Sequence, residues 1–97
     1  MKKKRFSRQH LFDLRNHINI NHLISDILKL PSKYRDGYLR FICPVCGESL
    51  TATNPHTNLA RCFRCQKNFN TIELVMLEQR TGFVEAVNFL THYLPRQ

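Results

Sequence analysis

The first third of the chain places apolar residues at helical spacing. From Ser7 onward, three of them lie three and four positions apart and predict a first helix: Leu11, Leu14 and Ile18. A second, shorter helix is predicted to begin with Asn21 as its N-cap and to stop at Leu30, because Pro31 follows. Its apolar positions are Leu23, Ile24, Ile27 and Leu28. Residues 1–6 form a basic tail, which we expect to be frayed.

The middle of the chain changes to a pattern typical of strands and turns. Residues 33–37 (Lys-Tyr-Arg-Asp-Gly) are predicted to form a turn, and residues 38–42, rich in aromatic and β-branched side chains, a strand. Residues 49–53 and 59–62 are predicted to pair as a hairpin around the loop 54–58. This region therefore favours a small antiparallel sheet.

Two further helices are predicted in the last third. Asn70 or Thr71 is the expected N-cap of the first, whose apolar positions lie in residues 72–77 and which ends at Thr81-Gly82. The second is predicted before Pro95 and carries Phe83, Ala86, Val87, Phe89, Leu90 and Leu94. We expect both apolar stripes to face the core of one small domain.

All four cysteines of the chain occur in two Cys-x-x-Cys pairs. These are Cys43-Pro-Val-Cys46 and Cys62-Phe-Arg-Cys65, with 15 residues between them, a spacing typical of zinc sites. Each pair puts two thiolates on one tight turn, and two such turns complete a tetrahedron of sulfurs about 2.3 Å from the metal. We therefore predict one structural Zn²⁺ bound by these four residues.

The cysteines allow three other interpretations. Disulfides require an oxidising compartment, yet no apolar run that resembles a signal peptide follows the basic N-terminus. A thioredoxin-like redox centre uses one Cys-x-x-Cys at the start of a helix, whereas this chain has two beside strand-like segments. Iron in a rubredoxin-like site suits the same ligands, so the sequence leaves zinc and iron open. Of the histidines, only His56 is placed to approach the metal, in the loop between the pairs.

Strand, cysteine turn, hairpin and second cysteine turn follow one another in the order of a zinc ribbon. We therefore predict a small α+β zinc-binding domain, a zinc ribbon flanked by N-terminal and C-terminal helices. Four thiolates leave the metal no open position for substrate, which excludes a catalytic zinc. No acidic pair, glycine-rich phosphate loop or nucleophile constellation is present, so we expect no enzymatic activity.

The charge distribution favours contact with a polyanion. The chain has 15 Lys and Arg against 7 Asp and Glu, a net charge of +8. Residues 1–28 carry +4, residues 29–67 carry +5 and residues 68–97 carry −1, so the excess lies in the N-terminal half and around the cysteines. Solubility alone is the alternative explanation. No apolar segment approaches the roughly 18 residues of a membrane span, and we expect a cytoplasmic protein with no membrane partner.

Several motifs of the chain occur together in one known family. They are Cys43-Pro44-Val45-Cys46, Cys62-Phe63-Arg64-Cys65, the helix around residues 72–76 and Phe83-Val84-Glu85-Ala86-Val87-Asn88-Phe89-Leu90. With them, residues 20–94 resemble the N-terminal zinc-binding domain of DnaG-type bacterial DNA primases, a zinc finger with three cysteine ligands and one histidine. The resemblance divides the chain into a basic N-terminal arm and helix (1–19), a primase-like zinc-ribbon domain (20–94) and a tail (95–97).

The chain also departs from the family pattern. Cys46 stands where the family usually has histidine, which makes the site all-cysteine and more negative. The stretch after the first cysteine pair is shortened to Ser49-Leu50. Glycines usual around the second pair are replaced by Arg64, Gln66 and Asn68. The polymerising core that carries the acidic Mg²⁺-binding residues of primases has no counterpart in residues 1–97.

The resemblance implies recognition of a single-stranded DNA template by the exposed sheet. The function that we predict is a stand-alone, non-catalytic primase-like accessory that serves DNA replication in a plasmid, phage or other mobile element. The sequence supplies aromatic and cationic side chains suited to bases and phosphates. The candidate nucleic-acid contacts are Lys33, Arg35, Tyr38, Arg40, Arg61, Phe63, Arg64 and Lys67. The alternative hypothesis is an adaptor that docks a separate primase, helicase or transcription component through the C-terminal helices.

Overall fold

The computed structural model describes residues 6–94, in which helices precede and follow an antiparallel sheet. The helices are Arg8–Asn16 (α1), Ile20–His22 (α2), Thr71–Gln79 (α3) and Phe83–Thr91 (α4), and a π-helical segment, Leu23–Ile27, continues from α2. The strands are Ser32–Arg35 (β1), Tyr38–Phe41 (β2), Thr51–Asn54 (β3), Leu59–Cys62 (β4) and Lys67–Phe69 (β5). The tail 95–97 and residues 1–5 of the basic arm lie outside the described residues.

The five strands form one meander in the order β1-β2-β3-β4-β5, with every neighbouring pair antiparallel. One face of the sheet supplies buried side chains to the core: Leu39, Phe41, Ala60, Cys62 and Phe69. The helical segments cover that face with Leu14, Ile20, Leu23, Ile24, Leu74, Val75, Ala86, Val87 and Leu90. The predicted α+β zinc-ribbon architecture is confirmed. No helix within residues 6–94 covers the opposite face of the sheet, which we call the open face.

Polar caps set the starts of α1 and α3 where the sequence predicts them. The Ser7 hydroxyl accepts a hydrogen bond from the backbone N–H of His10 at 3.0 Å. Asn70 and Glu73 form a reciprocal capping box, in which each side chain accepts from the other residue's backbone N–H. These bonds satisfy N–H groups that have no partner inside the helix.

The second predicted helix begins and ends earlier than the sequence pattern indicated. Its N-cap is Asn19, whose side chain accepts from the backbone N–H of His22 at 3.1 Å, and the predicted cap Asn21 lies inside the helix. The Asn21 side chain instead accepts a hydrogen bond from the Thr53 hydroxyl on β3. The helical conformation stops at Ile27, and Lys29 has a φ of 53°, which is incompatible with a continuing helix.

The predicted turn over residues 33–37 is wrong for its first three residues. Ser32–Arg35 forms β1 and pairs with β2, in a register that sets Lys33 opposite Arg40 and Arg35 opposite Tyr38. The turn itself contains only Asp36 and Gly37, both with positive φ, the conformation of a two-residue hairpin loop. Strand β5 was also not predicted.

The loop between β3 and β4 is tied to the N-terminal helices. Asn58 is 8% exposed, and its side chain bonds the backbone of three residues in the segment 15–20. Leu14 and Ile18 belong to the same core as the sheet and the C-terminal helices. The part of the N-terminal arm that the structure describes therefore packs as an integral layer of the ribbon.

Candidate zinc centre and open sheet face

The four cysteine side chains converge on one point between the two Cys-x-x-Cys turns. Their sulfur atoms all lie within 4.8 Å of one another. The Sγ atoms of Cys43 and Cys65 are 3.9 Å apart, and those of Cys46 and Cys62 are 3.5 Å apart. A regular tetrahedron with metal–sulfur bonds of about 2.3 Å has edges of about 3.8 Å. The cluster therefore has the dimensions of a four-thiolate metal site.

Backbone hydrogen bonds shape the first cysteine turn. The N–H of Cys43 donates to the Glu48 carbonyl at 2.9 Å, and the N–H of Gly47 donates to the Cys43 carbonyl at 3.0 Å. Gly47 has a φ of 77°, in the region that favours glycine. The N–H of Val45 also points to the Cys43 sulfur at 3.4 Å, which stabilises a thiolate there.

The second cysteine turn repeats this arrangement with a different residue. The N–H of Cys65 donates to the Cys62 sulfur at 3.3 Å. Gln66 follows the second cysteine, as Gly47 does in the first turn, and has a φ of 55°. A residue with a side chain occupies this left-handed conformation at a cost of about 1–2 kcal/mol. Gln66 therefore adopts the same left-handed backbone conformation as Gly47, although it is not a glycine.

The thiols influence one another's protonation in the absence of metal. The hydrogen bond with Cys46, together with burial, raises the pKa of Cys65 to about 12. Burial opposes ionisation of Cys62, but the N–H of Cys65, the Thr51 hydroxyl and two thiols outweigh it and lower its pKa to about 6. The N–H of Glu48 favours the Cys46 thiolate, yet burial and the thiols at 62 and 43 leave its pKa raised. A cation is therefore needed to hold four thiolates together.

Within residues 6–94, the four cysteines are the one cluster of three or more metal-ligating side chains. His56 lies on the exposed loop between β3 and β4 and does not belong to this cluster.

A family model described as the CHC2 zinc finger, the zinc ribbon of DnaG, matches residues 6–96. The chain belongs to the CHC2 zinc finger family. No curated protein matches it.

Family membership and the sulfur geometry together establish a site for a single zinc ion. When bound, zinc acts here as a structural cross-link, because all four tetrahedral positions belong to cysteine sulfurs. It would join the turn after β2 to the turn after β4, and so hold the C-terminal ends of these two strands together.

In this CHC2 zinc finger, a row of residues crosses the open face of the sheet. The strand registers set Lys33 opposite Arg40, Arg40 opposite Ala52, Ala52 opposite Arg61 and Arg61 opposite Asn68. Directly opposed residues project from the same face, and neighbouring strands lie about 4.8 Å apart. Two arginines therefore flank the single small residue of the row at a separation of about 10 Å.

A groove of ≈ 520 Å³ lies along this row. Tyr38 and Phe63 lie on the same face, and Tyr38 is 47% and Phe63 59% exposed. The other lining residues are Arg40, Ala52, Thr53, Asn54, Thr57, Leu59, Arg61 and Asn68. None of the ten is a carboxylate, so the groove combines aromatic surface with uncompensated positive charge.

Both arginines of the groove are held by one hydrogen bond each. The Nη1 of Arg40 donates to the Leu50 carbonyl at 3.0 Å, and the Nη1 of Arg61 donates to the Asn68 side-chain oxygen at 3.3 Å. The Arg61 guanidinium also lies 5.9 Å from the centre of the Phe63 ring. Within residues 6–94, no lysine or arginine is close enough to a carboxylate for an ion pair, since the two pairs present involve histidines.

The eight candidate nucleic-acid residues do not share one surface. Tyr38, Arg40, Arg61 and Phe63 line the groove, whereas Lys33 and Arg35 line a neighbouring depression that shares Arg40. Arg64 is exposed between two ligands but lies outside both linings. Lys67 is opposite Cys62 in the register and lines a depression on the helical side, beside Val45 and Met76.

The sequence analysis did not predict Ala52, Asn54 or Asn68 as nucleic-acid contacts, and the structure places all three in the groove. Ala52 is small and Asn54 belonged to the predicted loop, so neither carries a binding signature of its own. Asn68 lies on the unpredicted strand β5. Only the strand register brings these residues beside the two arginines.

No helix within residues 6–94 has the length and apolar character needed to cross a bilayer.

Proposed function

We propose that this zinc finger is a non-catalytic module that binds single-stranded DNA on the open face of its sheet, as a primase-like accessory in DNA replication of a plasmid, phage or other mobile element. One observation carries the proposal. Arg40 and Arg61 flank Ala52 in a groove that also contains the exposed aromatic rings of Tyr38 and Phe63.

The electrostatics of the groove favour a phosphate backbone. Its two guanidinium groups have no carboxylate partner, and the neighbouring depression adds Lys33 and Arg35. Like charges placed directly opposite each other, such as Lys33 and Arg40, destabilise a sheet unless an anion lies between them. A phosphate chain supplies such anions and releases its counterions on binding.

The aromatic residues favour a single strand over a duplex. Phe63 and Tyr38 project from an exposed face, where unpaired bases are able to stack on them, whereas Phe41 is 2% exposed and belongs to the core. Stacking of a base on an aromatic side chain contributes about 1–3 kcal/mol and needs a base that is free of its partner strand. Cation–π contact between Arg61 and Phe63 holds one such ring in place.

The zinc chemistry supports a binding role rather than a catalytic one. A catalytic zinc keeps one position for water or substrate, and here the ligand set is four cysteines. We accordingly propose that the metal contributes only to the shape of the open face. The family to which the chain belongs includes the zinc ribbon of DnaG, which supports a role beside a replication enzyme.

The proposal is tested by titrating a labelled single-stranded oligonucleotide with the zinc-loaded protein at several salt concentrations. We expect affinity to fall with salt at a slope of about −0.7 per phosphate neutralised, and unlabelled single strands to compete better than duplex. Arg61→Ala should weaken binding and make the slope shallower by about one phosphate. Arg64→Ala is the matched control, because it removes the same charge outside the groove.

Two results would contradict the proposal. If Arg61→Ala and Arg64→Ala weaken the affinity for single-stranded DNA equally, net charge, and not the groove, determines binding. No detectable binding at low salt would favour the alternative function, an adaptor for a separate primase or helicase. The exposed Val45 and Leu77 beside the helical-side depression would then be the first apolar contacts to examine.

A further inference from the structure

We propose that one exposed side of α1, formed by Arg8, Phe12 and Arg15, is a second binding surface for the same DNA strand, which reaches it by leaving the groove over the β3–β4 loop. We call these three residues the α1 stripe. The inference rests on the proposed binding of single-stranded DNA to the groove. It adds a surface on the helical layer, from which strands longer than the groove gain affinity.

The three side chains of the stripe share one side of the helix. Arg8, Phe12 and Arg15 are four and three positions apart, the spacing of neighbours on a helix surface. Together with Gln9 and Leu11, they line a depression of ≈ 340 Å³. At a rise of 1.5 Å per residue, the two arginines are about 10 Å apart along the helix axis. The stripe therefore places one aromatic ring between two cations.

No carboxylate neutralises the charge of the stripe. Neither Arg8 nor Arg15 forms an ion pair in the described part of the chain. Asp13 is the one carboxylate of α1, and it accepts a hydrogen bond from Gln9 at 2.7 Å and lies 3.6 Å from the Nε2 of His17. It does not line the depression. The surface is therefore suited to a phosphate backbone.

The core does not account for the position of Phe12. This residue is 47% exposed, and it belongs neither to the core nor to the partly buried apolar residues packed against it. Its ring makes an edge contact with the His17 ring, with the ring centres 5.9 Å apart. Single exposed apolar side chains are common on protein surfaces, so the cations on both sides give this one its meaning. Cations beside an exposed ring are the combination that binds unpaired bases.

The β3–β4 loop connects the groove to α1. Thr57 and Leu59 line the groove, and Asn58 lies between them in the sequence. The Asn58 side chain donates a hydrogen bond to the backbone carbonyl of Arg15 at 2.6 Å. The last residue of the stripe thus contacts the loop that lies at one end of the groove. A strand that leaves the groove over this loop arrives next at Arg15.

The test compares labelled thymidine strands of about four and about sixteen nucleotides, which span the range of site sizes in small single-strand-binding domains. The shorter strand is expected to occupy the groove alone, and the longer one to reach the stripe as well. The readout is the ratio of the two affinities for the full, zinc-loaded chain. A longer strand also offers more binding positions, but this factor cancels when the ratio is compared between variants.

Two variants remove the contacts of the stripe. Arg8→Ala combined with Arg15→Ala should lower the affinity for the longer strand about tenfold and make its salt slope shallower by about 1.4, because two phosphate contacts are lost. Phe12→Leu keeps an apolar side chain but removes the ring, and should lower the same affinity about fivefold. Neither change should alter the affinity for the shorter strand by more than about twofold, because salt screens distant charges.

A matched control removes two charges elsewhere. Arg64 and Arg80 are exposed, and they line neither the groove nor the depression on α1. Arg64→Ala combined with Arg80→Ala should therefore leave the ratio of the two affinities unchanged. Circular dichroism and zinc content verify that each variant retains the fold.

The outcomes separate this inference from the proposed function. If the unmodified protein binds neither strand, both are overturned. If it binds both, and the α1 variants lower the ratio no more than the control does, the second surface is overturned and binding in the groove stands. The same conclusion follows if the α1 variants weaken the shorter strand as much as the longer one. A fall in the ratio that is confined to the α1 variants supports the second surface.

Discussion

The side-chain oxygen of Asn58 accepts a hydrogen bond at 2.8 Å from the backbone N–H of Ile20, which lies 38 positions earlier in the chain. The amino group of the same residue donates to the carbonyls of Ile18 and Arg15, at 2.7 and 2.6 Å. One residue of the β3–β4 loop thus satisfies three backbone groups where α1 gives way to α2. It joins the N-terminal helices to the ribbon.

We expect Asn58→Ala to destabilise the zinc-loaded protein by about 3 kcal/mol, because it leaves buried backbone groups without partners. Asn58 also has a φ of 56°, so Asn58→Gly removes the same bonds but relieves the left-handed conformation. The glycine variant should be less destabilised than alanine by about 1 kcal/mol. Urea unfolding at fixed zinc concentration measures the free energy of unfolding of the two variants. Equal values would contradict a contribution from the left-handed backbone conformation at residue 58.

The equivalent positions after the two cysteine turns provide a second prediction. Gln66→Gly should stabilise the protein by about 1 kcal/mol, since glycine adopts a positive φ without penalty. Gly47→Ala should destabilise it by a similar amount. A Cβ at Gly47 would meet no atom within 4 Å, so only the backbone conformation is changed. Thermal unfolding of the two zinc-loaded variants should give shifts of opposite sign.

Cys46 allows the ligand set to be tested by exchange. We expect Cys46→His to retain one metal ion per chain, because imidazole is a normal zinc ligand and the family usually has histidine here. Cys46→Ser should bind the metal much more weakly, since a hydroxyl is a poor replacement for a thiolate. Elemental analysis gives the stoichiometry, and substitution with Co²⁺ reports the number of thiolates. Full zinc occupancy in the serine variant would contradict a four-ligand site.

Metal removal should unfold the ribbon. The four thiolates come together only in the folded chain, so the free energy of zinc binding contributes directly to folding. A chelator is expected to abolish the β-sheet signal and the amide protection of residues 38–70, and added Zn²⁺ should restore both. Hydrogen exchange followed by mass spectrometry would locate the change. A metal-free chain with an intact sheet would contradict this role of the metal.

Zinc affinity should fall as the pH is lowered. In the unfolded metal-free chain a cysteine thiol has its ordinary pKa of about 8.5, so the four thiols are mostly protonated near neutral pH. The folded arrangement without metal does not remove these protons, because there the pKa of Cys65 is raised to about 12 and that of Cys46 is also raised. Zinc has to displace the protons, and their number grows as the pH falls. Calorimetry in buffers of different ionisation enthalpy should detect two or more protons released per zinc near pH 7, and release of fewer would contradict protonated thiols in the metal-free chain.

Much of this fold could be predicted from the sequence because strong local signals coincide with the final contacts. The cysteine spacing specifies the metal site, and Ser7, Asn70 and Glu73 mark helix starts through bonds to their own backbone. Asp36 and Gly37 carry the signal of a two-residue hairpin, whereas residues 33–35, which the sequence pattern places in the same turn, form strand β1.

The remaining features depend on tertiary contacts. Residues 16, 19 and 21 are all asparagines and equally suited to cap a helix. Asn19 is the cap because Asn58 and Thr53, which are distant in sequence, hydrogen-bond to Ile20 and Asn21. The groove likewise has no signal in the amino-acid sequence. Arg40 and Arg61 become neighbours of Ala52 through the register of β2, β3 and β4, and register follows from the packing of the buried face.

The hydrogen bonds that hold Arg40 and Arg61 have a consequence for how tightly the open face binds. A free arginine on a surface samples many rotamers, and fixing it in a complex costs about 0.5–1.5 kcal/mol of conformational entropy. Here the Leu50 carbonyl and the Asn68 amide restrict the two guanidinium groups before any ligand arrives. The groove is preorganised, so association should carry a smaller entropic penalty than its polar, cationic composition alone implies.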